Sequence, residues 1–160
     1  MGMYFRGILT VAAINIIATT GLSVFTGFTG LFSLGHAAFM AIGAYTSAIL
    51  TYFYHVPYSV ALIAGMAAAA LAGMVIGYPT LRTKLRGDYF AIATLGMGEA
   101  TRVILETLRI TQGARGLPGI KQYTTLPVAC AIAGIVLLVA RNLVVSAYGR
   151  NAVAVREDPI

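Results

Sequence analysis

From Gly7 to Leu81 the chain carries no Asp, Glu, Lys or Arg. Apart from Arg6, charged residues gather in three places, Arg82–Asp88, Glu99–Lys121 and Arg141–Asp158. The apolar runs between them are long enough to cross a bilayer, which takes about 20 residues per helix. Hydropathy and Gly/Pro punctuation together predict about five membrane segments. The first covers Met3–Phe25 and the second His36–Tyr54. His55-Val56-Pro57 reads as a tight turn, with Pro57 suited to the first turn of a third helix, Tyr58–Leu81. The fourth runs over Asp88–Ile110, where Asp88 offsets the helix dipole. A Gly/Pro-rich connector, Thr111–Leu126, leads to the fifth at Pro127–Val145. The pattern predicts an all-α, polytopic transmembrane helix bundle.

Between the first two segments the apolar pattern is interrupted. Thr26–Gly35 holds Gly27, Gly30, Ser33 and Gly35, and His36 follows directly. Freed backbone N–H and C=O groups find no water in hydrocarbon, so such breaks persist where they line a cavity or pack against protein. Pathways and binding sites in transporters are built this way. Ser33 is placed to act as an N-cap for the second helix. His36 has three readings: a proton relay, a metal ligand or a hydrogen-bonded hinge. No second His, Cys or carboxylate stands at ligand spacing, which argues against a metal. A hydrogen bond anchoring the break is the favoured reading.

Two further helices carry patterns of their own. In the third, Gly65, Ala69, Gly73 and Gly77 stand four apart on one face. Small residues at that spacing let two helices approach backbone to backbone, within one bundle or between subunits. In the fourth, Glu99, Arg102, Glu106 and Arg109 follow at spacings of three and four and can neutralise one another. Glu99 lies ~16 Å along the helix from Asp88, at a depth where an ionisable group is a functional candidate. The competing reading is an ion-pair ladder in which Arg102 is its structural partner.

Composition narrows the class further. At 59% hydrophobic and 10% charged residues, with mean hydropathy +0.85, an ordinary soluble domain is excluded. The net charge of +6 reflects basic loops that orient a membrane protein, so no nucleic-acid partner is expected. Arg82, Lys84 and Arg86, and Arg141, Arg150 and Arg156, can all face the cytoplasm, which places the N-terminus outside. Arg109, Arg115 and Lys121 on the outer loop run against that rule. Cys130 sits in an apolar run as a small packed residue. The apolar stretch after Arg6 is too long for a signal peptide and reads as a retained helix. No nucleophile elbow, P-loop or zinc signature is visible, so no catalytic residue, cofactor or metal is expected. Any energy for transport must come from a partner ATPase or an ion gradient.

Four segments resemble successive signatures of one family. They are GLFSLGHAAFMAIGAYTSA (Gly30–Ala48), RGDYFAIATLGMGEATRVIL (Arg86–Leu105), TQGARGLPGI (Thr111–Ile120) and YGRNAVAVREDPI (Tyr148–Ile160). The family is the inner-membrane permease of branched-chain amino acid ABC importers, of the LivM type. Where the companion LivH type reads closer to NFAHGE, this chain has Ser33-Leu34-Gly35-His36-Ala37-Ala38. The resemblance implies a multi-pass protein of a bacterial or archaeal cytoplasmic (inner) membrane. It implies pairing with a second, LivH-type permease, two cytoplasmic ATPase subunits and an extracytoplasmic binding protein that delivers the amino acid. It also implies that residues 147–160 begin the cytoplasmic coupling loop, with Gly149, Arg150, Arg156, Glu157 and Asp158 meeting the ATPase. Family members usually have one more N-terminal helix and several more after that loop. Residues 1–160 are therefore expected to be a single but partial permease domain, its N-terminal half.

Two readings from other classes stand beside this one. An ion- or proton-coupled carrier would use Glu99 and His36 and need no ATPase. A non-transporting membrane scaffold would offer only the Gly65–Gly77 face.

Overall fold

The structure is a computed structural model that describes residues 2–82, 88–120, 122–146 and 149. Arg150, Arg156, Glu157 and Asp158 of the expected coupling loop lie outside the described residues, as do Lys84, Arg86 and Lys121. Five α-helices form among the described residues: α1 (Gly2–Thr29), α2 (His36–Phe53), α3 (Tyr58–Arg82), α4 (Asp88–Thr107) and α5 (Leu126–Val145). Two single 3-10 turns, Arg109–Thr111 and Gly113–Arg115, lie in the connector, and no strand occurs among the described residues. The all-α architecture is the predicted one.

Three of the helices are long and apolar enough to cross a membrane, over Tyr4–Thr29, Tyr58–Tyr78 and Leu126–Val145. The five predicted segments all form helices, and the remaining two, α2 and α4, are the more polar ones. His36 and the Thr, Ser and Tyr residues dilute α2, and α4 carries Asp88, Glu99, Arg102 and Glu106. Their polar faces need water or protein beside them.

The described residues divide into two compact units. In the first, α1 and α5 pack side by side. The buried positions are small, Thr10 and Ala13 on α1 and Ala129 and Ala133 on α5, at spacings of three and four that keep each pair on one face. Arg6, Gly7 and Thr10 share a hollow with Leu126 and Pro127, so both helices start at the same end. Threonine hydroxyls in α1 donate back to carbonyls four residues earlier, Thr10 to Arg6 at 2.8 Å, Thr20 to Ile16 at 2.7 Å and Thr29 to Phe25 at 2.8 Å. Each such bond satisfies a polar group that hydrocarbon would leave unpaired. Pro127 sits in the first turn of α5, where its missing N–H is no loss.

The expected break at Thr26 comes later. α1 continues through Gly27, since a glycine inside a helix costs only about 1 kcal/mol relative to alanine. It stops at Gly30, whose φ of 64° is left-handed and whose N–H donates to the Thr26 carbonyl at 2.9 Å. A glycine in that conformation is a common helix terminator.

In the second unit, α2 and α3 form an antiparallel hairpin. Its turn is a helix terminator too: His55 has φ 51°, and the Val56 N–H donates to the Leu50 carbonyl at 3.2 Å. Gly43 and Gly65 meet across the pair. A methyl group on Gly65 would lie 2.7 Å from the Gly43 carbonyl oxygen, and one on Gly43 would lie 3.2 Å from that of Gly65. Only glycine permits this approach.

α4 lies along the other side of α2 and runs in the same direction, with Leu34 beside Thr94 at one end and Tyr45 and Leu105 on a shared groove towards the other. Two parallel helices need a crossing between them, which α3 supplies. α4 ends at Thr107, three residues before the predicted boundary. Leu108 is extended, and the buried Thr111 hydroxyl donates to the Leu105 carbonyl at 2.5 Å and the Leu108 carbonyl at 2.7 Å, tying the connector to the helix end.

Candidate functional site

The segment before α2 is seated on α4. The Leu34 N–H donates to Thr94 Oγ1 at 3.1 Å, and that hydroxyl donates in turn to the Ala91 carbonyl at 3.0 Å. Gly35 is pressed against the same turn, where a methyl group would lie 2.6 Å from the Thr94 carbonyl oxygen. A methyl group on Gly98, one turn further along α4, would come to 3.7 Å from the Gly35 Cα. Backbone thus approaches backbone at Gly35, and a side-chain hydroxyl satisfies the N–H left over by the break.

Two expectations are corrected here. Ser33 is buried but does not cap α2: the N-cap is Gly35, without a side-chain hydrogen bond, and its carbonyl accepts from the Ala38 N–H at 3.0 Å. Ser33 stands two residues too early for its hydroxyl to meet the first turn. The anchoring hydrogen bond belongs to Thr94 and not to His36, whose half-buried side chain makes no hydrogen bond among the described residues.

Below this seat α2 and α4 diverge to leave a groove of about 380 Å³. Ala37, Ala38 and Ala41 of α2 and Leu95 and Leu105 of α4 give it an apolar floor, while Glu99, Arg102 and Glu106 supply charge. Arg102 bridges both carboxylates, through Nη1 to Glu99 Oε1 at 3.2 Å and Nε to Glu106 Oε1 at 2.9 Å. These are the spacings that place side chains on one helical face. Arg109 drops out of the expected ladder because α4 has ended before it. The Arg102 and Glu99 side chains are 64% and 62% exposed, so these pairs orient the side chains and add little to stability. The structure brings Glu99 and Arg102 onto the groove together, while His36 does not line it.

The small-residue face of α3 is split in use. Gly65 and Ala69 meet Gly43, and a methyl on Gly73 would stand 4.0 Å from the Phe39 ring, while among the described residues nothing lies within 4 Å of one on Gly77. In the first unit, Gly149 folds back on the end of α5. It is buried, its N–H donates to Ser146 Oγ at 3.2 Å, and a methyl group there would collide with the Leu143 carbonyl oxygen. No group of three or more His, Cys, Asp or Glu gathers to hold a metal among the described residues. Thr94 and Gly98 were missed from the sequence, although their i, i+4 spacing of small residues on a helix is the signal for a close contact.

A family model described as "Branched-chain amino acid transport system / permease component" matches residues 4–160. The high-affinity branched-chain amino acid transport system permease protein LivM of Escherichia coli (strain K12) is 47% identical over 119 residues, 73% of this chain and 27% of that protein. The LivM of Salmonella typhimurium (strain LT2) is 45% identical over 119 residues, again 73% of this chain and 27% of the relative. The chain therefore spans about a quarter of the length of these relatives. No solved structure matches it at a significant level.

Proposed function

The chain belongs to the family of branched-chain amino acid transport system permease components, and from that premise we propose that it forms part of the membrane pathway of an ABC importer for branched-chain or related amino acids. The family match over residues 4–160 carries this reading. The site supports it: a helix break seated on α4 opens beside a groove that combines an apolar floor with charge part-way along the helix. Irregular backbone beside a lined cavity is how membrane transporters place a pathway.

In this reading the protein works in the bacterial cytoplasmic membrane beside a second permease subunit. Two separate ATPase subunits hydrolyse ATP, and an extracytoplasmic binding protein delivers the amino acid. Gly27, Gly30, Ser33, Gly35 and His36 form the region where the pathway bends, with Glu99 and Arg102 as its polar lining. Gly149, Arg150, Arg156, Glu157 and Asp158 meet the ATPase. Gly149, buried against α5, joins that loop to a membrane helix, so a push on the loop reaches α5 directly.

Uptake of labelled leucine by the complete importer tests the reading. Arg150→Ala and Glu157→Gln are expected to abolish ATP-dependent uptake while the protein stays in the membrane. Normal uptake by both variants overturns the coupling role. Uptake that survives loss of the ATPases but collapses with an uncoupler overturns the importer class in favour of an ion-coupled carrier.

A further inference from the structure

The charges on the α2–α4 groove do not cancel. Glu99 and Glu106 share one guanidinium, so the triad holds a net charge of −1 from two carboxylates and one cation. Each carboxylate meets Arg102 through Oε1, and Oε2 has no ion-pair partner among the described residues. Arg102 spends Nε and one Nη1 hydrogen on the pair, which leaves Nη2 to donate elsewhere. All three charged groups border the same groove as the apolar Ala37, Ala38 and Ala41. A surplus of negative charge, a spare guanidinium donor and an apolar floor lie within one space of about 380 Å³. Glu99 stands half-way along α4, an expected membrane segment in which a charge turned to lipid is strongly disfavoured, so this face needs water or a polar occupant.

We propose that this groove holds the charged end of a small zwitterion, with Glu99 and Glu106 receiving its ammonium group, Arg102 donating to its carboxylate, and its apolar side chain resting on Ala37, Ala38 and Ala41. The inference rests on the importer reading and assigns the residues that tell an amino acid from an apolar acid without the amine. Selection is electrostatic: the surplus charge raises the local concentration of cations and repels anions.

The test uses the assembled importer in proteoliposomes, with Cys130→Ala and a single reporter on the groove, either Thr101→Cys, which lines it from α4, or Ala41→Cys. Two thiosulfonates of opposite charge, a trimethylammonium and a sulfonate, are compared after normalising to their rates with a free thiol. The cationic reagent is expected to react about tenfold faster, as one nearby unit charge dictates. Glu99→Gln alone should bring that ratio close to one, and Glu99→Gln with Glu106→Gln, which leaves Arg102 unopposed, should invert it. Leucine should slow the labelling, and 4-methylpentanoate, which lacks the amine, should not. Absence of labelling at both reporters, equal rates for the two reagents, or protection by both solutes overturns the proposal. Leucine uptake by the unmodified importer separates the two readings. If uptake proceeds while the labelling pattern is absent, this site assignment fails alone; if the unmodified importer takes up no leucine, the importer reading fails with it.

Discussion

The two sides of α2 are held in opposite ways. Against α3 the contact is backbone to backbone, with Gly43 and Gly65 so close that a methyl group on Gly65 would lie 2.7 Å from a carbonyl oxygen. Against α4 the helix is fixed at its N-terminal end, by the Leu34–Thr94 hydrogen bond and the Gly35 contact, and then opens into a groove. Close packing of small residues gains dispersion energy along a whole face and leaves no room for a ligand. A polar seat fixes position at one point and leaves space beyond it. One helix therefore joins a rigid hairpin on one face to an accessible cavity on the other.

Substitutions can break this contrast in order of size. Gly65→Val should be most damaging, costing about 3 kcal/mol, the upper end for overpacking, because both obstacles are backbone or β-carbon atoms. Thermal unfolding in detergent, followed by circular dichroism, is expected to show it as a clear loss of stability. Gly35→Ala comes next: its methyl would meet the Thr94 carbonyl at 2.6 Å and lift the break off α4, at about 1–3 kcal/mol. A disulfide between cysteines at 34 and 94 should form readily with Gly35 present and slowly in the alanine variant. Thr94→Val keeps the shape and removes the hydrogen bond, so a loss of about 1 kcal/mol is expected. Hydrogen exchange at the Leu34 amide should accelerate, and unchanged exchange would show that this bond does not hold the break. Gly77→Ala is the control, within about 0.5 kcal/mol of the parent, because among the described residues nothing lies within 4 Å of the added methyl. A large effect there would mean that the small-residue face continues into a contact beyond this chain.

Much of the architecture was legible because its signals are local. The five helices, the His55–Pro57 turn and the start of α2 at His36 follow from hydropathy and from glycine and proline positions. Boundaries slipped where a local signal was ambiguous. Gly27 and Gly30 read alike as breakers, but only Gly30 adopts the left-handed conformation that ends α1. Ser33 carries a capping hydroxyl yet stands two residues ahead of the N-cap. The charged face of α4 was readable from i, i+3 and i+4 spacing, since those neighbours lie on the same helix.

By itself, then, the sequence determined an apolar helical chain, its breaks and its charged helical face, all properties of residues close together along the chain. Tertiary structure alone decided that Thr94, sixty residues away, satisfies Leu34, that Gly65 meets Gly43 while Gly77 meets none of the described residues, and that Glu99 and Arg102 open onto a groove from which His36 is left out. The reason is physical. Spacing fixes which residues share a face, but the partner of that face depends on contacts between remote segments, and small residues or hydroxyls suit many partners equally until packing chooses one.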